Sequence, residues 1–363
     1  MADFITRGTD IARVRRLRGN PTEYDREVWS QMAALGWLGI LVPEEYGGLD
    51  LGLAEAAIVA EGLGRALAPE PYTAAAVLAV TTIAAGDSAT LKAELLQRTA
   101  TGQTIAVLAW QESAGDSEPA KTATRAIPFE GGYRLSGAKR FIAGAAGADG
   151  YIVSARTDKD RIALFWIERD TPGVTLKLET LADGRHFGAI GLEDACVPRA
   201  RVVASEALAH DVLARALDRA TVIASAELYG VMSCAFEMTL DYLRTRVQFG
   251  KPIGSFQALQ HRAADLYVQQ QLASAVLDEA IASLDKEPDA RTRSALASRV
   301  KARCSDAASK ITRAAIQLHG AIGFTDEYDA GLYLKRAMVL TAWLGGASWH
   351  RRRYARLAIE EST

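Results

Sequence analysis

The chain has 363 residues, is 49% hydrophobic and 24% charged, and carries a formal net charge of −2. That is the make-up of an ordinary soluble globular protein with room for two or three buried cores. So balanced a charge argues against a broad electrostatic footprint for nucleic acid.

Cys196, Cys234 and Cys304 are far apart and odd in number, and the five histidines form no H-x-x-x-H pair. No disulfide framework and no metal site are therefore expected, and a reducing cytoplasm fits this cysteine usage. Met1 to Arg18 mixes acidic and basic residues without the apolar run of a secretory signal. The longest apolar run, Tyr72 to Ala85, is too short to span a bilayer, so no membrane span is expected.

The first hundred residues read as helical. Tyr24 to Leu35 is amphipathic and stops at Gly36; a Gly/Pro-punctuated loop follows from Gly39 to Leu49. Helical patterns resume at Leu53–Leu67, Tyr72–Ala85 and Ser88–Ala100, separated by Pro69, Pro71 and Gly86. From Thr104 the period shortens. Thr104–Trp110, Lys121–Ile127, Tyr133–Ile142, Tyr151–Ala155, Ile162–Ile167 and Val174–Leu178 are short runs rich in Val, Ile, Thr and aromatics. Evenly spaced turns between them predict an antiparallel sheet domain, a small barrel.

After Pro198 the helical period returns over 206–245, 255–285, 290–318 and 329–343, with a last helix at 347–360. Ser255 stands where an N-cap is needed and Gly320 where a helix must stop. Four long helices on short loops predict an antiparallel four-helix bundle. The expected fold class is thus mainly α with a central β domain: a helical domain over 1–103, the barrel over 104–204 and the bundle over 205–363.

No G-x-G-x-x-G opens a βαβ unit, and neither a P-loop nor a G-x-S-x-G elbow is present. What chemistry remains is concentrated at two helix junctions. The first runs from Arg244 through Arg246-Val-Gln248-Phe249-Gly250-Lys-Pro252-Ile253 to Gln257. An Arg, a Gln amide and a Phe ring at one turn suit a phosphate, a polar edge and a flat base; a capping turn with a surface arginine is the plainer alternative. The second runs Gln317-Leu-His319-Gly320-Ala321-Ile322-Gly323-Phe324, where glycines leave backbone N–H groups free for close approach. Its plainer alternative is a helix stop with His319 as a packing residue.

Taken together the two junctions resemble the acyl-CoA dehydrogenase family, whose patterns R-x-x-F-G-x-x-[IL] and Q-x-x-G-G-x-G-[FY] they approach. The resemblance extends over nearly the whole chain, through Leu38-Gly-Ile-Leu-Val-Pro43-Glu-Glu-Tyr-Gly-Gly48, Tyr133–Ile142 and Pro172-Gly173-Val174. It implies an FAD whose ADP half is clamped by Arg246, Gln248, Phe249, Gln257, Gln317, Gly320 and Ala321, reaching across to the flavin of a neighbouring subunit. It also implies an acyl-CoA substrate, a Glu that removes the α-proton, hydride transfer to the flavin, and an electron-transfer flavoprotein as acceptor.

Several positions depart from the pattern. Where the family places its Glu before a Gly-Thr, this chain has Leu344-Gly345-Gly346; the alternative site on the long helix holds Ala220. The T-E-P…G-S-D segment appears as Gln111-Glu112-Ser113-Ala114-Gly115-Asp116-Ser117, and the W-I-[TS] segment as Phe141-Ile142-Ala143. Features acting on the chain's own flavin are weakened, whereas those reaching a neighbour are intact. The reading that follows is a subunit of a heteromeric acyl-CoA dehydrogenase, a heterotetramer in which a homologous partner supplies the Glu. Bulky steroid- or ring-derived thioesters are the implied substrates. Two alternatives stand beside it: a homomeric flavoprotein with a relocated base, for which Glu227 is the weak candidate, and a non-catalytic acyl-CoA-binding scaffold without flavin.

Overall fold

The structure is a computed structural model that describes residues 11–20, 24–115, 118, 121–157 and 161–359, for 358 and 359 the backbone alone. Asp116 and Ser117 of the segment compared above lie outside the described residues. The chain divides into two compact units, one of Leu17–Ala56 with Pro69–Ala220, the other of Met1–Arg16, Ala57–Ala68 and Thr221–Thr363. The mainly helical chain with a central sheet is the architecture expected.

The first unit opens on helix α2 (Arg26–Ala34), after a short α1 (Ile11–Leu17) shared between the units. Asp25 caps α2 by accepting the Glu27 N–H, and Val28, Trp29 and Met32 form its buried stripe. The loop that follows folds on itself: the Leu49 N–H donates to the Gly39 carbonyl at 2.9 Å. A Cβ at Gly48 would lie 1.9 Å from the Val42 carbonyl oxygen, so only glycine fits there. Helix α3 (Leu53–Arg65) passes out of this unit at Ala57.

The Tyr72–Ala85 run is not one α-helix. Thr73–Ala79 takes the wider π form and only Val80–Ala85, here α4, is α-helical. Every residue of the π segment is buried and it packs on the strand Ala106–Ala109. A run of three alanines among them gives the broadened turn little side-chain bulk to accommodate. Helix α5 (Ala89–Ala100) follows, capped by the Ser88 hydroxyl.

Eight strands follow: β1 (Ala106–Ala109), β2 (Arg125–Phe129), β3 (Gly132–Ala143), β4 (Gly150–Arg156), β5 (Ile162–Glu168), β6 (Val174–Thr180), β7 (His186–Pro198) and β8 (Val202–Ala204). They pair in the order β6-β7-β3-β2-β4-β5-β8, with β1 beside β4. The ladders are antiparallel except β1–β4 and the single Arg125–Arg156 pair of β2–β4. Strands β7 and β8 were not expected from the sequence. β7 is the longest of all, yet Gly188, Gly191 and Glu193-Asp194 interrupt its alternation. Those interruptions have causes. A Cβ at Gly188 would meet Ala145 Cβ at 2.3 Å, and Asp194 takes φ 49 at a bulge opposite Ser136, whose hydroxyl donates to its carboxylate at 2.8 Å.

A buried cation ties this sheet together. Lys139 of β3 is 0% exposed, and its ammonium donates to Glu112 Oε1 (2.7 Å), Thr122 Oγ1 (2.6 Å), Ser154 Oγ (3.1 Å) and the Trp110 carbonyl (3.3 Å). Glu112 also accepts from the Thr124 hydroxyl and from the Ala123 and Thr124 N–H groups. Although its own partial burial opposes ionisation, bonds from Lys139 and Thr122 hold the Glu112 carboxyl down at about 2. Burial pulls the Lys139 ammonium down to about 8 against the pull of Glu112.

The second unit holds the rest of α3 with helices α6 (Ala209–Thr245), α7 (Gln257–Leu284), α8 (Ala290–His319), α9 (Ala330–Ala342) and α10 (Ala347–Ile359). Helix α6 begins in the first unit and belongs to the second from Thr221. α8 is the hub, packing on α7, α9 and α10, while Gln270 of α7 donates to Ser233 of α6 at 2.8 Å. α3 and α6 cross at contact distance through two glycines. A Cβ at Gly64 would lie 2.1 Å from the Glu227 carbonyl oxygen, and one at Gly230 would lie 2.1 Å from that of Glu61.

Three outcomes follow for stability. Glu112→Gln leaves the Lys139 ammonium buried without an anion, and unfolding in urea should show a loss of about 3–5 kcal/mol, smaller in Glu112→Gln/Lys139→Met. The Glu112 carboxyl titrates lower folded than unfolded, so its contribution is present above pH 4.5 and is lost as pH falls toward about 2; acid unfolding of Glu112→Gln should lack that component. Gly230→Ala must push α3 from α6, lowering stability by roughly 1–3 kcal/mol in the same assay.

Candidate functional site

The site residues marked by the sequence lie where long helices end. Helix α6 runs 37 residues and stops at Thr245, and Arg246 begins a tight hairpin in which β9 (Val247–Gln248) pairs with β10 (Lys251–Pro252). The two-residue turn is Phe249-Gly250, with φ 55 and 78, a primed turn whose hand matches strand twist. Glycine adopts this conformation freely, but phenylalanine does not. The Phe249 ring is nevertheless 90% exposed, touching the edge of Phe256 at 6.0 Å between centroids. An exposed aromatic on a strained backbone is a surface prepared for contact.

Arg246, Gln248, Gln257, Gln317, Gly320 and Ala321 are likewise exposed. Among the described residues no side-chain hydrogen bond or ion pair engages the Arg246 guanidinium. Its carbonyl accepts from the Ile253 N–H at 2.8 Å, which brings the start of α7 beside it. Phe256, not Ser255, is the N-cap of α7, and it makes no side-chain capping bond; the Ser255 hydroxyl instead donates to the Pro252 carbonyl at 2.8 Å. The positive end of a 28-residue helix is thus left without a side-chain cap near Arg246, and Lys251 lies 4.4 Å over the Phe256 ring.

The second junction is brought alongside. His319 packs against Tyr242 of α6 (4.5 Å) and Tyr328 (4.7 Å), tilted to both rings, and its Nδ1 bonds the Ala315 carbonyl at 2.7 Å. Burial lowers its proton affinity below that of an ordinary imidazole. Gly320 ends α8 at φ 66, and a Cβ there would meet nothing within 4 Å. Phe324, 75% exposed, closes the five-residue turn. A guanidinium, an uncapped helix N-terminus and two exposed aromatics fit a pyrophosphate joined to a flat base, the ADP half of FAD.

The positions where a base would stand are of the opposite character. Ala220 is 0% exposed, and Leu344 is 6% exposed with φ 59. Glu227 is held: Arg336 donates to its Oε1 from Nε (3.1 Å) and Nη2 (2.5 Å). Its carboxylate is thus engaged in an ion pair inside the chain. In the first unit, Gln111–Gly115 turns inward through Glu112, and Ala143 offers no hydroxyl. Phe141 sits at φ 59 in a bulge of β3, under the guanidinium of Arg140 at 4.9 Å.

Sequence reasoning missed three groups beside these positions: Lys139, Lys301 and His350. Only their unusual burial marks them, and burial is not legible in a linear pattern.

A helical chain with a central sheet and an exposed arginine–aromatic hairpin has the framework of a flavin-dependent oxidoreductase. Family models match residues 4–103 (acyl-CoA dehydrogenase, N-terminal domain), 107–194 (middle domain) and 210–359 (C-terminal domain). The chain belongs to the acyl-CoA dehydrogenase family, whose members are FAD-dependent oxidoreductases acting on CH–CH bonds.

Among its relatives is acyl-CoA dehydrogenase FadE27 of Mycobacterium tuberculosis, 30% identical over 345 residues, covering 93% of this chain and 89% of that one. The mitochondrial isovaleryl-CoA dehydrogenase of Solanum tuberosum is 28% identical over 354 residues, covering 95% and 85%. Among solved structures, the steroid ACAD Tcur3481-Tcur3483 superposes with a TM-score of 0.89 at 28% identity, covering 99% and 96%. The ChsE4-ChsE5 complex of Mycobacterium tuberculosis gives 0.88 at 28% identity, covering 99% and 95%. No helix among the described residues is long and apolar enough to cross a membrane, and no cluster there could hold a metal ion.

Glu227→Gln distinguishes a base from a structural partner. Breaking the ion pair should cost about 3–5 kcal/mol of stability, and Arg336→Met in the same chain should return part of it. A relocated base would instead lose turnover with the unfolding midpoint unchanged.

Proposed function

We propose that this chain is one subunit of a heteromeric, FAD-dependent acyl-CoA dehydrogenase that introduces an α,β double bond into a bulky acyl-CoA thioester. In this reading it contributes the ADP-binding arm, and a homologous Glu-containing partner supplies the base. The observation that carries the proposal is the contrast between an intact exposed arm (Arg246, Gln248, Phe249, Gln317) and the buried apolar residues Ala220 and Leu344. The similarity to structures named as a steroid ACAD and as the ChsE4-ChsE5 complex supports unequal subunits and a steroid- or ring-derived acyl group.

FAD, when bound, supplies the acceptor for the β-hydride. Arg246 and the N-terminus of α7 hold its pyrophosphate, Phe249 and Gln248 its adenosine side, and Gln317 with the Gly320-Ala321 backbone completes the grip. Phe249 and Phe324 become buried as the arm meets the partner, which excludes water from that end of the cofactor. An electron-transfer flavoprotein receives the electrons. Glu227 is assigned to the Arg336 pair rather than to proton transfer.

Co-expression with a Glu-containing homologue tests this. The purified complex should carry one FAD per two protomers and dehydrogenate an acyl-CoA, while this chain alone should be inactive. Stoichiometric FAD and substrate-dependent bleaching in this chain alone would sink the proposal. Within the complex, Arg246→Ala and Phe249→Ala should each weaken FAD retention by about 10-fold or more, as loss of a charged hydrogen bond or a stacked ring implies. Neither should lower this chain's own unfolding midpoint.

A further inference from the structure

Three unusual groups converge on the turn between α9 and α10. Leu344, a γ-branched residue, holds φ 59 although glycines follow at 345 and 346. Lys301, midway along α8, is wholly buried, and its ammonium donates to the Leu340 and Thr341 carbonyls at the end of α9. Among the described residues no carboxylate pairs with it. His350, 1% exposed in the first turn of α10, donates from Nε2 to the Leu344 carbonyl at 2.9 Å. That bond requires the proton on Nε2, which leaves Nδ1 as a buried acceptor without a partner among the described residues.

The support extends outward. Trp349 meets the His350 ring edge-on at 4.7 Å, and Arg353 lies 5.5 Å over Trp349 while donating to Ser294 and Ser298 of α8. A Cβ at Gly345 would stand 2.9 Å from His350 Nε2, so the histidine fits only over a glycine. Burial, reinforced by the nearby Lys301 and Arg353 cations, drives His350 down to about 3 and keeps it neutral. Burial also brings Lys301 down to about 7.

A helix needs none of this to end. A left-handed glycine suffices, with no buried cation and no strained leucine. Strain held in place from two sides at a buried turn is the mark of a position fixed for use. We propose that Lys301 and His350 are positioning residues that lock residue 344 in its left-handed conformation, so that the turn remains a preformed, desolvated acid–base position in which a leucine now stands. This rests on the reading that 344 is the vacated base position, and the two claims fail separately.

The test installs the missing group and then loosens its support. In Leu344→Glu, the introduced carboxyl should titrate at least ~1.5 pH units above an ordinary glutamate, since a buried carboxyl resists charging. It is followed by difference infrared against the unmodified chain. His350→Ala in that background should return the titration toward the ordinary value, while His350→Gln, which keeps a donor to the carbonyl of residue 344, should preserve it. A merely structural histidine would lower the unfolding midpoint without moving the carboxyl. An introduced carboxyl that titrates normally, or is indifferent to His350→Ala, overturns the proposal.

Lys301→Met, nearly isosteric and uncharged, provides the second arm. Its crystal structure should show φ at 344 leaving the left-handed region; retention of φ near 59 removes Lys301 from the proposal. Finally, the Leu344→Glu chain reconstituted with a partner whose own catalytic Glu is replaced by Gln should exchange the α-proton of an acyl-CoA in heavy water, which the same complex with Leu344 should not do. A raised titration without exchange leaves the clamp standing and overturns position 344 as a base site.

Discussion

An α-helix leaves its last carbonyls without intrahelical partners, and the two junctions after α6 and α8 and the turn at Leu344 sit where that deficit must be met. The end of α6 is met by the Ile253 N–H reaching the Arg246 carbonyl, which folds the hairpin and sets Arg246 beside the start of α7. The end of α8 is met by the Gly320 N–H donating to the Gln317 carbonyl, which turns Gly320 and Ala321 outward. The end of α9 is met by backbone as well, Trp343 N–H donating to the Val339 carbonyl and Gly345 N–H to that of Ala342, but a buried ammonium on Leu340 and Thr341 and an imidazole on Leu344 are added to it. Two ends met by backbone alone are exposed. The one that also gathers buried side chains is an interior turn.

That difference governs what each end can do. Exposed ends keep their side chains available, and Arg246 has water as its only competitor among the described residues. A buried end is dry, so a group placed there feels a low dielectric and large shifts in proton affinity. Glu227 is different again: it too is largely buried, but its carboxylate is already paired with the Arg336 guanidinium inside the chain.

The helices were legible in the sequence because their period and punctuation agree: Gly320 ends α8, and α6 reaches Thr245 as read. The turn at Gly250 was legible because glycine and proline punctuate that short span. Strand β7 was not, since Gly188 answers a close approach from Ala145 and Asp194 a bulge, both set by neighbours remote in sequence. The π segment at Thr73–Ala79 was equally hidden, because alanines suit either helix form. Lys139 and Lys301 read as surface lysines in any linear scan; only the acceptors gathered around them from other elements reveal that they are interior. The resemblance located Leu344 and Ala220, but the left-handed backbone at 344 belongs to the fold.

The arm and the interior turn also differ in where their strain is balanced. At Leu344 the compensation is inside the chain, through His350, Lys301 and the Arg353 bonds to α8. At Phe249 it is not: the ring is almost wholly exposed and meets only the edge of Phe256. A left-handed phenylalanine costs of order 1 kcal/mol, and exposing its ring forgoes the roughly 1.5–3 kcal/mol that burial would return. Nothing within the hairpin recovers either amount, whereas a surface that stacks on the ring would recover both. The energetics of this one residue therefore favour the reading in which the arm completes a site outside its own subunit.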